Sequence, residues 1–150
     1  MRIALDTNIL AYAEGVNDAR MRNQSLNLIS RLPRQNVVLP VQVLGELFLV
    51  LLRKGQRPPE EARSIILNWR NAVPTLVETT AEIIVAATDL VVTHRLGIWD
   101  SIVLCAAAEA NCGLLLSEDL HHGFVWRGVT VVNPFAEPAS PLLQSQLLSR

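Results

Sequence analysis

The chain opens with a short apolar run, Ile3-Ala4-Leu5, that stops abruptly on a carboxylate, Asp6. Such a run is too short for a helix and has the character of a strand buried on both faces. The pattern recurs at residues 36–39, 74–78, 114–116 and 128–132, with helix-length segments between. Alternation of this kind predicts an α/β fold, a central and mainly parallel sheet sandwiched between helices. In open sheets of this type the working groups stand just beyond the carboxyl ends of the strands. Asp6 occupies such a position, although Asp-Thr-Asn also suits a turn or a helix cap.

The intervening segments carry helix signals. Asn17-Asp18 can cap a helix running to Leu32, which Pro33 ends, and Pro40 stands at the start of another over residues 41–53, closed by Lys54-Gly55. That second helix is apolar on more than one face, through Val43, Leu44, Leu47, Phe48, Leu49, Val50, Leu51 and Leu52. A helix of this kind is buried or lies in an interface. Pro58-Pro59-Glu60-Glu61 opens a third helix that ends near Ala72. Thr79 with Glu82 has capping-box spacing for a fourth, running to about Arg95. Residues 102–110 form a run of Ile, Val, Leu, Cys and Ala broken only by Glu109, and predict a central helix closed by Cys112-Gly113. The tail beyond residue 135, with Pro138 and Pro141, reads as a mobile arm or a short docking helix.

Composition narrows the function classes. With 150 residues, 50% hydrophobic and 18% charged, the chain suits one compact domain with a full core. Its mean hydropathy is +0.29, yet no window reaches the roughly 18 unbroken apolar residues of a membrane span. Asp6 and Asn8 interrupt any apolar leader, so no secretory signal is expected. Cys105 and Cys112 have no metal-ligand spacing and read as buried free thiols of a reducing cytosol. A net charge of −1 gives no global footprint for nucleic acid. Lys54 is the only lysine, and arginines gather in the first half of the chain.

Four acids stand where chemistry could use them. Asp6 ends the first strand; Glu46 is the one charge set into the apolar second helix. Its neighbours three and four residues away are Gln42, Val43, Leu49 and Val50, so its carboxylate needs a partner. Asp100 lies at the amino end of the central helix, where it can also serve as a cap or complement the helix dipole. Ser117-Glu118-Asp119 follows the strand at 114–116. Acids that converge without cations repel, and some are held protonated; a hard divalent cation with a hydrated shell resolves this better. The pair His121-His122 suggests a transition-metal site, but adjacent loop histidines usually diverge and an all-oxygen pocket does not need them. His94 carries no stronger signal.

Together these residues resemble the PIN domain family, and within it the VapC-like ribonuclease toxins of bacterial type II toxin–antitoxin pairs. The likeness rests on Leu5-Asp6-Thr7-Asn8, Glu46, Trp99-Asp100-Ser101-Ile102, Leu116-Ser117-Glu118-Asp119-Leu120 and the ending Val131-Val132-Asn133-Pro134-Phe135. It implies a PIN-like three-layer sandwich over residues 1–135, with 136–150 as a tail. It also implies an acidic pocket of Asp6, Glu46, Asp100 and Asp119 that holds Mg²⁺ or Mn²⁺ for phosphodiester hydrolysis of RNA. In that pocket Asp6, Asp100 and Asp119 are the expected ligands, and Glu46 a ligand or the base that orients water. Thr7, Asn8 and Ser117 are expected to support them by hydrogen bonds, while the choice between Glu118 and Asp119 stays open. The expected partners are an RNA substrate, a cognate antitoxin and a second copy in a homodimer, the last two drawn to excess apolar surface on the second helix. The alternative is a non-catalytic module whose acids hold a metal, or an arginine from a partner, to organise an interface. Phosphotransfer on Asp6 is a further option, weakened by the lack of an Asp-x-Asp pair after the first strand.

Overall fold

The computed structural model describes residues 1–149. A six-stranded sheet has the order β3-β2-β1-β4-β6-β5. Its strands are β1 (Arg2–Leu5), β2 (Val37–Pro40), β3 (Thr75–Val77), β4 (Cys112–Leu116), β5 (Val125–Trp126) and β6 (Val129–Val132). Every pairing is parallel except that of β5 with β6. The helices are α1 (Thr7–Ala13), α2 (Ala19–Arg31), α3 (Val41–Arg53), α4 (Pro59–Ala72), α5 (Ala81–His94), α6 (Ile98–Glu109) and α7 (Pro141–Gln144).

Strand order decides where the helices go. From β1 the chain steps outward to β2 and β3, then returns across the sheet to β4 on the other side of β1. Right-handed crossovers place α1 to α4 on one face and α5 and α6 on the opposite face. This is the expected α/β sandwich. The reversal beside β1 is a topological switch point, which opens a crevice at the carboxyl ends of β1 and β4.

The core explains the apolar runs. Ile3, Ala4 and Leu5 of β1 and Leu114, Leu115 and Leu116 of β4 are fully buried, as befits strands covered on both faces. In α6, residues from Ser101 to Ala107 are all buried, and its alanines let the helix lie close to the sheet. Because α6 leads almost directly into β4, it runs antiparallel to the strands. Its amino end therefore stands at the same edge of the sheet as Asp6.

Several local readings change. Helix α1 follows β1 without a break, capped by Asp6; the cap was one of the two local readings of Asp-Thr-Asn, but the helix itself was not anticipated. With 7 residues it is too short for periodicity to reveal, and Ile9, Leu10, Ala11 and Ala13 bury it. Thr80 rather than Thr79 caps α5, accepting from the Ile83 N–H at 3.2 Å. Helix α6 stops through Asn111, whose φ of 57° takes the left-handed turn, so β4 starts earlier than expected, at Cys112. Gly113 therefore lies inside a strand, where a Cβ would stand 2.6 Å from the Met1 side chain. The antiparallel β5 was not anticipated; it has only 2 residues. In the tail, α7 is capped by Ser140 and buries Leu143, while the Leu148 N–H donates to the Arg31 carbonyl at 2.7 Å.

Helix α3 also spends its apolar surface differently from the expectation. Val43, Leu47 and Leu51 are buried, Leu44, Phe48, Val50 and Leu52 pack on the core, and only Leu49 is exposed. The larger exposed apolar surface is on α5, at Val85 (64%) and Val92 (82%). Among the described residues, no helix is long and apolar enough to cross a membrane.

Truncating the core of α6 is accordingly expected to be severe. Leu104→Ala, at a site with 0% exposure, should lower stability by about 3 kcal/mol. Val92→Ala should change it by less than about 0.5 kcal/mol. Urea denaturation with an unchanged m-value measures both.

Candidate active site

Asp6 ends β1 and begins α1 in one residue, with extended backbone (φ −84°, ψ 166°). Its N–H donates to the Leu116 carbonyl at 3.0 Å, which ties it to the end of β4. The side chain is 2% exposed. Oδ1 accepts from the Thr7 N–H at 2.7 Å and Oδ2 from the Ser117 hydroxyl at 2.7 Å. Burial nevertheless pushes its pKa up to about 7; the hydrogen bonds from Ser117 and Thr7 pull it down, and Asp100 and Glu46 push it further up.

The other acids come from three other segments. Glu46, half-buried on α3, accepts the Thr7 hydroxyl at 2.6 Å, so the partner its setting demanded is supplied by α1. Asp100 occupies the first turn of α6, where Gly97 is the capping residue and no side chain caps. Its pKa is raised by burial first, then by Asp119 and Glu46, despite the favourable end of the helix dipole. Asp119 follows β4 and accepts the Asn8 side-chain amide at 3.0 Å.

These four acids, with Thr7, Leu49 and Val50, line one cleft of about 300 Å³. No basic side chain is among its lining residues. The electrostatic couplings of Asp6 with Asp100 and Glu46, and of Asp100 with Asp119 and Glu46, make one interacting set.

Neighbouring side chains sort the two adjacent acids. Asn8 uses both ends of its amide, donating to Asp119 and accepting from the Glu118 N–H at 3.2 Å. Glu118 turns away and accepts the Tyr12 hydroxyl at 3.1 Å, and it does not line the cleft. Ser117, fully buried, also accepts the N–H groups of Asp119 and Leu120 at 3.2 and 3.3 Å, which fixes the turn that presents Asp119. Tyr12 was not singled out by the sequence; its only signal is a place one turn beyond Asn8. Its ring meets Phe135 edge-on at 5.8 Å, and burial with Glu118 beside it pushes its pKa up to about 12.

The histidines do not join the cleft. His122 Nδ1 accepts the Asn133 N–H at 2.9 Å, and His94 packs edge-on against Phe124. Cys105 and Cys112 are free and buried, with both thiols pushed up to about 11 chiefly by burial.

A divalent cation fits this donor set as an open site. The four acids are spread around a cleft, and among the described residues no three His, Cys, Asp or Glu form a ready-made metal cage. Mg²⁺ does not need one, because it binds through one or two carboxylates and retains several waters. The donors are all hard oxygens, which suits a hard divalent cation.

Comparison with known proteins identifies the family and the fold. The sequence matches the PIN domain over residues 3–123. The chain belongs to the PIN domain family. PIN domains are a family of nucleases. Similar solved structures include the Mycobacterium tuberculosis toxin VapC20, which cleaves the sarcin–ricin loop (20% identity, TM-score 0.65, covering 78% of this chain and 89% of that one). A toxin–antitoxin complex from Klebsiella pneumoniae is similar at 16% identity and TM-score 0.63, covering 85% and 95%. FitAcB from Neisseria gonorrhoeae follows at 18% and 0.61, covering 88% and 97%. No curated protein matches the sequence.

Asp6 also makes the stability of this PIN domain depend on pH. Its folded-state pKa lies above the ordinary 3.8, so below that value the group is protonated in both states and its burial carries no charge penalty. As pH rises toward 7 the unfolded chain gives up a proton that the folded one retains, and stability falls. Thermal melts in EDTA should therefore show Tm decreasing from pH 4 to 7 and then levelling. Asp6→Asn should flatten that limb.

Proposed function

We propose that this chain is a metal-dependent endoribonuclease that hydrolyses RNA phosphodiester bonds and serves as the toxin of a toxin–antitoxin pair. The observation that carries the reading is the convergence of Asp6, Glu46, Asp100 and Asp119, from four separate segments, on one cleft without a basic lining residue. Such a cleft repels RNA unless a cation fills it.

Asp6, Asp100 and Asp119 are the residues that would hold Mg²⁺ or Mn²⁺. When bound, the cation neutralises charge on the phosphate and lowers the pKa of water. The chain's own part is positional. Ser117 and the Thr7 N–H hold Asp6 in one orientation, and Asn8 does the same for Asp119. Thr7 fixes Oε2 of Glu46 at 2.6 Å, which leaves Oε1 free to act as a ligand or to orient a water for attack.

An RNA substrate and an antitoxin are the partners that fit. Trp99 (58% exposed) and Leu49 (46%) border a more apolar hollow next to Glu46, formed with Val41 and Thr79. An apolar antitoxin segment could cover them while an arginine enters the acidic cleft in place of the metal. The exposed Val85 and Val92 of α5 support a homodimer. The same exposed residues favour the second reading, a non-catalytic module in which the acids only organise a partner interface.

The test is cleavage of a panel of structured RNAs, including a sarcin–ricin loop analogue. Cleavage should require Mg²⁺ or Mn²⁺ and stop with EDTA. Asp6→Asn and Asp100→Asn should each lower kcat roughly 100-fold or more while remaining folded. Undiminished cleavage by both variants would refute these roles, and no cleavage of any RNA would favour the binding module.

A further inference from the structure

A second cavity, of about 570 Å³, adjoins the acidic cleft and shares Thr7, Val50 and Asp119 with it. It runs between α1 and α3 and is completed by Asn8, Ala11, Tyr12, Val16, Asn17 and Lys54. Its character differs from that of the cleft. Ala11, Val16 and Val50 give it an apolar floor, and its only cation is Lys54, the single lysine of the chain. Lys54 caps the carboxyl end of α3, is exposed, and forms no ion pair with any described carboxylate. It lies eight positions beyond Glu46, about 12 Å along the helix axis. Asn17 lines the same groove, exposed, with φ of 91°. Asparagine tolerates a positive φ, and here it forms the turn that leads into the Asp18 cap of α2.

We infer that this groove is a subsite for single-stranded nucleic acid, holding the nucleotide that flanks the phosphodiester in the acidic cleft. The inference rests on the nuclease reading for its substrate class. Lys54 contacts the flanking phosphate. Tyr12 and the apolar floor receive the base, and Asn17 offers a donor and an acceptor to its edge. The arrangement solves a problem that the cleft creates. Four acids repel a polyanion, and a net charge of −1 supplies no long-range attraction. A single unpaired ammonium beside an apolar floor gives both backbone attraction and a surface for a base, the usual combination for unpaired strands. A rigid duplex cannot lay one base into the groove, so the subsite selects loops and single-stranded segments.

The experiment measures binding separately from cleavage. Fluorescence anisotropy of a labelled single-stranded RNA decamer, and of the same sequence as a duplex, is followed in Mg²⁺ on an Asp100→Asn background. Adding Lys54→Gln should weaken single-strand binding about five- to tenfold. It should also lower the slope of log K against log salt by about one. Tyr12→Leu should weaken it comparably, and Tyr12→Phe should restore it, because the ring rather than the hydroxyl meets the base. Arg63→Gln, an exposed charge on α4, is the control and should leave binding unchanged. The duplex should bind more weakly than the single strand and show no dependence on Lys54.

Unchanged affinity and salt slope in Lys54→Gln, an equal loss in Arg63→Gln, or no measurable binding by the parent would each overturn the subsite. Lys54-dependent binding together with an inactive wild-type protein would instead sink the nuclease reading and leave the groove standing.

Discussion

The carboxylate of Asp6 is placed where an isolated charge is hardest to keep, at the end of the central strand and almost out of contact with water. An ionised group there must be hydrogen-bonded, protonated or paired. The fold supplies the first remedy in part, through the Thr7 N–H and the Ser117 hydroxyl. Those donors belong to the start of α1 and the end of β4, so the bonds that hold Asp6 also fix both elements at the switch point of the sheet. What they leave uncompensated appears as the raised pKa. The remaining remedy, pairing, would come from outside the chain, in the cation proposed for the cleft.

Helix α1 carries most of the remaining organisation. Thr7 reaches α3 through Glu46, and Asn8 reaches the turn after β4 through Asp119 and the Glu118 N–H. Two adjacent residues thereby set the positions of two acids that are distant in sequence. Farther along, the Glu14 carboxylate accepts the Trp69 indole N–H at 2.9 Å, and its carbonyl accepts Arg57 at 2.7 Å. These bonds lock the end of α1 to α4 and the turn before it. A helix of this length has little stability alone. It is kept by its buried face and by these bonds, so the site's supports and the helix stand or fall together.

What the sequence made legible follows from the strength of each signal. β1 with Asp6, and β4 ending near Asp119, are apolar runs broken by acids, which strand physics reads directly. Helix α6 was legible because seven consecutive residues from Ser101 to Ala107 are buried, leaving no polar face to blur the pattern. Helix α1 was hidden because its first residues are Thr and Asn, which serve turns equally well, and because its buried face spans barely two turns. Strand β5 has too few residues for any alternation to register. The four acids that the fold gathers at one cleft could all be named in advance. The separation of Glu118 from Asp119 could not, since it depends on Asn8 and Tyr12, which approach from over a hundred residues away.

Charge placement is the last constraint that binds these features together. The arginines of the first half do not enter the cleft. Arg57 is bound to Glu61 at 2.8 Å, Arg34 donates to the Ala72 carbonyl, and Arg20 and Arg31 border a separate hollow against the tail. No arginine is among the lining residues of the acidic cleft or of the groove beside it. Any attraction must be built beside the cleft itself. On the proposed reading, a cation in the acid set would serve the reacting phosphate, and the ammonium at the end of α3 would serve its neighbour. Because α3 carries Glu46 at one point and Lys54 two turns later, one rigid element sets the spacing between the acidic cleft and the groove beside it. A change in the length or pitch of α3 would therefore alter substrate register without touching any acid.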